Sequence, residues 1–294
     1  MFRLLPFLLA LASPLAAQPL KVAVLHPLFN DLVSQLGGDQ VEVIDLVGED
    51  SDLHHFEPTA ADLRKAQGAR LFLVSGMGLE ANLSALRDIV GDRLFEVGAS
   101  LPARSGGCTD CDHDHAHDGD AHAEHSIDPH WWHSIDLYRR AAGAVAEALA
   151  KADPSNAETF RANALTYRAR LDELERWARR QVARIPPARR QLATAHDAFG
   201  YLCRDLGFTS HPVQGLNREQ IPDPVTLAGL IKRLKSEQVP ALFPENKSNP
   251  KILSALTSDT GIRLGPPLDV DGSTSGSYEA MVRHNINAIV KTLR

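Results

Sequence analysis

The chain lacks three features that would narrow its function: an excess of basic residues, a long hydrophobic run and a compact metal-hydrolase motif. Its 294 residues carry 31 Lys and Arg against 37 Asp and Glu, a formal net charge of −6. This balance gives no electrostatic reason to bind nucleic acid or an anionic membrane. With 44% hydrophobic and 23% charged residues, the composition excludes collagen-like, wholly disordered and polytopic membrane proteins. At roughly 100–200 residues per domain, two lobes are expected.

Residues 1–17 predict export of the chain. One early basic residue, Arg3, precedes an apolar run, and the small residues Ala16 and Ala17 come before Gln18. This is the make-up of a secretory signal peptide, and the run is shorter than the ~20 residues of a membrane-spanning helix. We expect cleavage near Ala17. Since no cysteine lies near that position, a lipid anchor is not expected, and the mature protein is predicted to be soluble outside the cytoplasm.

Residues 104–126 predict a solvated, flexible loop, because they include no aliphatic side chain larger than Ala. Six acidic residues and no Lys or Arg lie between Cys108 and His125, which accounts for the whole net charge. Cys108 and Cys111 form a CxxC pair that could make a disulfide or bind metal. A His tract this dense favours weak, exchangeable metal binding over a plain acidic linker. The accessory metal contacts would come from His113, His115, His117, His122 and His125.

The remaining chain alternates short apolar runs with helical patterns. In the first half, strands are predicted at 21–25, 41–47 and 70–75, and helices at 28–36 and 60–68. This rhythm produces β-α-β crossovers and a parallel sheet covered by helices. In the second half, the predicted strands are 191–195, 209–213 and 241–244, and the predicted helices are 198–206, 224–237, 251–260 and 278–293.

One long helix is predicted between the two halves. Apolar residues recur at helical spacing from Asp153 to Arg184, Pro154 suits a first turn, and Pro186 ends the pattern. About 30 residues in a helix would span about 45 Å, the size of a whole lobe. We therefore expect an N-terminal α/β lobe over 18–152, a linking helix over 153–185 and a C-terminal α/β lobe over 186–294.

Four residues are candidate metal ligands. His54 lies in LHHFEP, His130 in DPHWWHS, His196 in ATAHDAFGYL and Asp271 in PLDVDGS, each in a loop or at the end of a predicted strand. Three imidazoles and one carboxylate make a suitable zinc set. The intervals of 76, 66 and 75 residues include no HExxH motif. Since each lobe supplies two candidates, the metal would lie in the cleft between the lobes.

These motifs resemble a known family. Segments 54–80, 128–134, 194–208 and 268–285 are similar to the metal-specific (cluster A-I) solute-binding proteins of bacterial ABC importers, in their zinc branch. The resemblance covers nearly the whole mature chain. It implies two Rossmann-like α/β lobes joined by one rigid helix, with one metal held between them in the periplasm and delivered to an ABC permease.

Carried over by position, the resemblance makes His54, His130 and His196 the imidazole ligands and Asp271 the carboxylate. Asp269 is the rival to Asp271, because the register there could slip by two residues. The manganese branch usually has Glu where this chain has His196, which favours zinc. The second lobe has only Cys203, predicted to be buried, so the disulfide of some zinc-branch members is absent.

Three neighbours of the candidate ligands have less certain roles. His55 is expected to be a solvent-exposed spare. Glu57 could hydrogen-bond a ligand His or pair with another residue nearby. His133 could lie at the entrance of the site, although a surface position at a helix start is slightly favoured.

The leading hypothesis is a zinc receptor that binds and does not turn over a substrate. An exported zinc hydrolase using the same histidines, with Glu57 or Asp271 as general base, is the main alternative. A metal-dependent adhesin and a zinc buffer that relies on the loop alone are further alternatives. We expect a monomer, and a periplasmic zinc donor could be a second partner through the His-rich loop.

Overall fold

The computed structural model describes residues 18–48, 51–106, 127–216, 223–246, 248, 253, 256–258 and 260–294. The predicted signal peptide, the five loop histidines and the CxxC pair all lie outside this part of the chain, as does half of the predicted helix at 251–260. Within it, no helix is both long and apolar enough to cross a membrane.

The first lobe contains a parallel four-stranded sheet. Its strands are β1 (Leu20–Val24), β2 (Val41–Asp45), β3 (Leu71–Val74) and β4 (Leu94–Glu96), in the order β2-β1-β3-β4. The helices α1 (Pro27–Gly37), α2 (Ala60–Lys65) and α3 (Leu83–Val90) connect them. The burial of all four β3 residues explains why LFLV reads as a continuous apolar run.

The second lobe repeats this arrangement. Its parallel sheet has the order β6-β5-β7-β8, from β5 (Gln191–His196), β6 (Thr209–Gln214), β7 (Ala241–Phe243) and β8 (Arg263–Leu264). The connecting helices include α6 (Gly200–Leu206) and α7 (Pro224–Ser236). Two α/β lobes with parallel sheets are therefore confirmed.

In chain order, two long antiparallel helices follow the first sheet and precede the second. α4 (Ile135–Ala152) packs along α5 (Ala157–Val182), and α5 also contacts α1. α5 is the predicted joining helix, but it begins later than expected because Pro154–Asn156 forms a separate 3₁₀ turn. Its 26 residues span about 39 Å.

The last helix, α8 (Tyr278–Leu293), returns from the second lobe to pack on α5 and α1. The backbone N–H of Tyr278 donates to the carboxylate of Asp31 at 3.0 Å. The Tyr278 hydroxyl donates to the carbonyl of Trp132 at 2.9 Å. Because one apolar core runs from the first sheet through these helices to α6, the two lobes share their packing.

Cys203 on α6 is the free cysteine among the described residues, and it is buried as predicted. Burial raises the pKa of its thiol to about 12. A thiol in this environment is protonated at neutral pH and inert.

Candidate metal site

Three of the four candidate ligands meet where the carboxyl ends of the two sheets face each other. His54 lies in a turn after β2, His130 precedes the 3₁₀ turn Trp131–His133, and His196 is the last residue of β5. Each offers a ligand atom, and these atoms lie within 4.8 Å of one another. The Nε2 atoms of His54 and His130 are 3.2 Å apart. The structure thus assembles residues that are separated by 142 positions, from 54 to 196.

A buried carboxylate orients the ring of His130. Asp128 Oδ1 accepts bonds from the backbone N–H of His130 at 3.0 Å and from its Nδ1 at 2.9 Å. The other oxygen of Asp128 accepts from Arg104 Nη1 at 2.8 Å. Since Nδ1 donates its proton to Asp128, Nε2 keeps a lone pair for a metal. Burial lowers the pKa of His130, against the opposing effect of Asp128, so the neutral ring is favoured.

His196 is held in the same way by a carboxylate of the second lobe. The two oxygens of Glu245 accept bonds from the backbone N–H of His196, at 3.0 Å, and from its Nδ1. The Glu245 side chain is fully buried. Glu245 follows β7, which is the strand next to β5, and so reaches the ring from the neighbouring strand. The Nε2 of His196 is again left as the lone-pair donor.

Asp271 and its rival Asp269 lie in different surroundings. Asp271 lines the cavity that contains the three histidines, a space of about 260 Å³. Asp269 lies outside that lining and is fully buried. Its Oδ1 accepts bonds from the Gly272 N–H at 2.9 Å and from Asn246 at 3.3 Å, and its backbone N–H donates to Asn285 at 2.8 Å. Asp269 therefore shapes the turn that carries Asp271. The full lining is Asp52, Leu53, His54, Leu79, His130, Trp132, His196, Val270 and Asp271.

The donor set fits a small divalent ion. Metal–nitrogen bonds of about 2.0–2.1 Å in a tetrahedron put neighbouring nitrogens about 3.3 Å apart. The 3.2 Å between the Nε2 atoms of His54 and His130 is close to this value. In the metal-free protein one of these rings can donate its N–H to the other, and a bound cation would take the place of that proton. Together with the oriented rings of His130 and His196, this supports a metal-binding arrangement.

The structure gives the surroundings of the three neighbouring residues Glu57, His55 and His133. Glu57 accepts a hydrogen bond from Asn82, so it pairs with a residue other than the ligand histidines, which was one of its two predicted roles. His55 is exposed, as predicted for a spare. The slightly favoured surface position for His133 is wrong, because the residue is only 5% exposed and its ring packs on Phe199 with 4.3 Å between ring centroids.

Sequence reasoning missed the residues that orient the ligands. Asp128 is part of the DPH segment, and Glu245 directly follows the predicted strand at 241–244. A carboxylate at the carboxyl end of a parallel strand was the available signal for Glu245. The sequence does not state which His each carboxylate holds. That depends on the pairing of β5 with β7, which only the fold specifies.

The chain is similar to known metal-binding proteins. The family model described as zinc-uptake complex component A, periplasmic (ZnuA), matches residues 22–292. The manganese-binding lipoprotein MntA of Bacillus subtilis (strain 168) is 29% identical over 301 residues, covering 96% of this chain and 92% of that protein. The iron-binding protein YfeA of Yersinia pestis is 27% identical, covering 94% and 86%. The solved structure of the periplasmic zinc binding protein TroA from Treponema pallidum has a TM-score of 0.81 at 28% identity, covering 94% of this chain and 99% of that one.

Proposed function

This chain belongs to the zinc-uptake complex component A family of metal-binding receptors of ABC importers, and from this premise we propose that it is a high-affinity Zn²⁺ receptor. Members of the family are solute-binding proteins and not enzymes, and the family implies a membrane permease as partner. Our proposal adds that this receptor acts in the periplasm, captures zinc between its lobes and hands it to the permease.

The observation that carries the proposal is the donor set of one cavity: three imidazoles and the Asp271 carboxylate. Four protein ligands would close a tetrahedron around zinc, whereas a catalytic zinc keeps one position open for water. A closed site suits binding and release. For this reason, and because the family consists of receptors, the exported-hydrolase alternative is not supported.

The choice of zinc rests on the chemistry of the ligands. Imidazole nitrogen suits zinc, while manganese and other hard ions prefer carboxylate, carbonyl and water oxygens. With three nitrogens and one carboxylate, the proposed site favours zinc. Among the relatives, one is named for manganese, one for iron and one for zinc, so the names do not decide the metal and a measurement is needed.

The deciding experiment is the metal content of the purified mature protein after competition with a strong chelator, followed by titration with Zn²⁺ and Mn²⁺. We expect one tightly held zinc per chain, with zinc bound more tightly than manganese. His196→Ala should lose the tight zinc. His55→Ala is the matched control, because it removes an exposed imidazole next to His54 and should keep the zinc. Tighter binding of manganese than zinc would refute the zinc receptor.

A deletion of residues 108–125 tests the accessory role that we propose for the His-rich segment. Ser105 and Ile127 pair as an antiparallel bridge, and Asp128 N–H donates to the Arg104 carbonyl at 2.8 Å. The described residues on the two sides of this segment are therefore adjacent. We expect the deletion to keep the tight zinc and to lose only weaker sites. Loss of the tight zinc in the deletion, with retention in His196→Ala, would favour the zinc-buffer alternative.

A further inference from the structure

Arg104 lies at the contact between the two lobes, next to the candidate metal site, and sequence reasoning did not single it out. Its Nη1 donates to Asp128 Oδ2 at 2.8 Å, while Asp128 Oδ1 holds both the backbone and the ring of His130. The Asp128 side chain is fully buried, and that of Arg104 is mostly buried. The two oxygens of one buried carboxylate are therefore divided between Arg104 and a candidate metal ligand.

A second set of hydrogen bonds connects the backbone of the same two residues to the second lobe. The hydroxyl of Tyr201, on α6, accepts from the Arg104 backbone N–H at 2.9 Å and donates to the Asp128 carbonyl at 3.1 Å. The Asp128 N–H donates to the Arg104 carbonyl at 2.8 Å. Tyr201 thus holds Arg104 and Asp128 side by side, so the positions of both residues depend on where α6 lies.

The first residue of α6 is a glycine, and the guanidinium of Arg104 lies against it. A Cβ on Gly200 would lie 2.1 Å from Arg104 Nη1 and 2.3 Å from its Cζ, well inside van der Waals contact. Nη1 is the same atom that donates to Asp128. The φ of Gly200 is not positive, so the backbone conformation does not require a glycine here. The close approach of Arg104 does require one.

A side chain at position 200 would separate Arg104 from Asp128 without touching a metal ligand. The guanidinium is the end of a flexible side chain, so it can move away while the fold stays intact. Asp128 Oδ2 would then be a buried oxygen without its donor, which is unfavourable. The carboxylate is expected to turn towards another donor, and Oδ1 would no longer hold both N–H groups of His130.

We infer that Arg104 is a positioning residue for the metal ligand His130. Arg104 fixes the plane of the Asp128 carboxylate, and this carboxylate fixes the ring and the tautomer of His130. The second lobe keeps Arg104 in place, because Gly200 leaves room for the guanidinium and Tyr201 binds the backbone. The second lobe thus supports a histidine of the first lobe in addition to supplying its own ligands. This inference rests on the proposed zinc receptor and deepens it.

The first test uses Gly200→Ala, which displaces the Arg104 guanidinium and leaves every charge in the chain. Deleting the arginine would also remove a positive charge near the ion, which by itself favours cation binding. Gly229→Ala is the matched control, because it changes a glycine on another helix of the second lobe. Among the described residues, a Cβ at Gly229 meets no atom within 4 Å beyond the adjacent helix backbone.

The measurements are the zinc affinity, from chelator competition, and the NMR shifts of the His130 ring nitrogens in the metal-free protein. We expect Gly200→Ala to bind zinc about tenfold more weakly, the lower end of the range for groups that orient a ligand. The wild-type ring should carry its proton on Nδ1, and the ring in Gly200→Ala should show a mixture of both tautomers. Gly229→Ala should match the wild type in both measurements.

Folding of both glycine variants is checked by thermal unfolding of the metal-free proteins. Alanine favours helix more than glycine does, so the backbone gives no reason for either variant to fold less well.

A double-mutant cycle shows whether the effect passes through Arg104. Gly200→Ala is measured again in an Arg104→Ala background, where the side chain that it would displace is absent. Whatever zinc affinity Arg104→Ala has by itself, Gly200→Ala should then have no further effect. A loss as large as in the wild-type background would place the cause in α6 itself and would overturn the inference.

The remaining outcomes distinguish this inference from the proposed function. If the wild type holds zinc tightly and Gly200→Ala holds it equally well, the role of Arg104 is refuted and the zinc receptor stands. A weaker affinity with an unchanged His130 tautomer would also refute that role. If the wild type prefers manganese, the zinc receptor fails, and the same cycle measured with manganese decides on Arg104. If neither metal is held tightly, both proposals fail.

Discussion

Each lobe presents one histidine that is fixed by a buried carboxylate of the same lobe. Asp128 binds both the backbone and the ring of His130, and Glu245 does the same for His196. A single side chain thereby sets the position, the ring orientation and the tautomer of its ligand. Metal affinity should therefore depend on residues that never touch the ion.

Glu245→Gln should weaken zinc binding by about 10- to 100-fold. The two N–H groups of His196 bond to different oxygens of Glu245, and a glutamine amide has an acceptor oxygen at only one of these two positions. The ring is then expected to move its proton to Nε2, which removes the lone pair that would bind zinc. Chelator competition measures the affinity. Glu237→Gln, at the carboxylate beside His211, is the control and should bind zinc as the wild type does. Unchanged affinity in Glu245→Gln would show that the pairing is only structural.

Zinc affinity should fall with acidification, because every ligand histidine must be neutral to bind. An unperturbed histidine has a pKa near 6.5. Burial lowers the pKa of His130, so this ligand is still neutral at pH 6.5 and proton competition at its ring begins at lower pH. Affinities measured at pH 7.5, 6.5 and 5 should therefore decrease, with the larger loss in the second interval. An affinity that is the same at pH 5 as at pH 7.5 would refute a three-histidine site.

For single residues, the sequence predicted which side chains are candidate ligands better than it predicted what surrounds them. Motifs marked His54, His130, His196 and Asp271, and the fold brings them to one cavity. The choice between Asp269 and Asp271 could not be made from the sequence, since it depends on how one turn packs. The contact between Arg104 and Gly200 is also invisible there, because it joins residues distant in the chain.

The loop that follows β3, beside the site, has a constrained backbone. Gly76, Met77 and Gly78 have φ values of 76°, 56° and 81°, a left-handed conformation that a non-glycine residue adopts at a cost. Glu80 fastens this loop, since its carboxylate accepts the N–H groups of Ser75 at 2.6 Å and Gly76 at 3.0 Å. The loop contributes Leu79 to the cavity lining. Its stability therefore bears on the site.

Glu80 should make the stability of the metal-free protein depend on pH. Burial raises the pKa of Glu80 from 4.5 to about 7. Between these values the folded chain holds a proton that the unfolded chain has released, so the free energy of unfolding falls as the pH rises. Across this window the contribution of Glu80 falls by about 3 kcal/mol. Denaturant unfolding at pH 4.5 to 8, with a chelator present, measures the slope.

In Glu80→Gln this pH-dependent loss should disappear, whatever constant cost the missing acceptor adds. Glu57→Gln changes an exposed carboxylate of the same lobe and should keep the wild-type slope. If the free energy of unfolding of Glu80→Gln followed pH in parallel with that of the wild type, the Glu80 carboxyl would not be protonated in the folded chain at neutral pH.

Elements whose buried residues are clearly more hydrophobic than their surroundings were predictable from the sequence, and the other elements were not. β1, β3 and β5 are short buried runs, and the sequence located each of them. α4 was missed although it has 18 residues, because much of its buried face is alanine, which contrasts little with its polar side. β8 has two exposed residues, and β4 three half-buried ones. Neither strand is long enough to show the alternation of apolar and polar residues that marks a strand.

For the whole molecule, the sequence predicted two lobes and a joining helix, and both are confirmed. It did not predict that α8 would cross back to the first lobe. That crossing depends on contacts such as the stacked rings of Tyr138 and Tyr278, whose centroids are 3.5 Å apart. Since the apolar core continues between the lobes, they are not two independent units.

The shared core predicts a single cooperative unfolding transition, which zinc shifts as a whole. A ligand that binds only the folded state stabilises it by about 2.7 kcal/mol at one hundred times its Kd. For a chain of this size that corresponds to roughly 5 °C in Tm. His54→Ala and His196→Ala remove a ligand from different lobes, so both should lose most of this shift, and His55→Ala should keep it. Calorimetry with and without zinc is the measurement. Two separate transitions, of which only one responds to zinc, would show that one lobe alone holds the ion and that the lobes unfold independently.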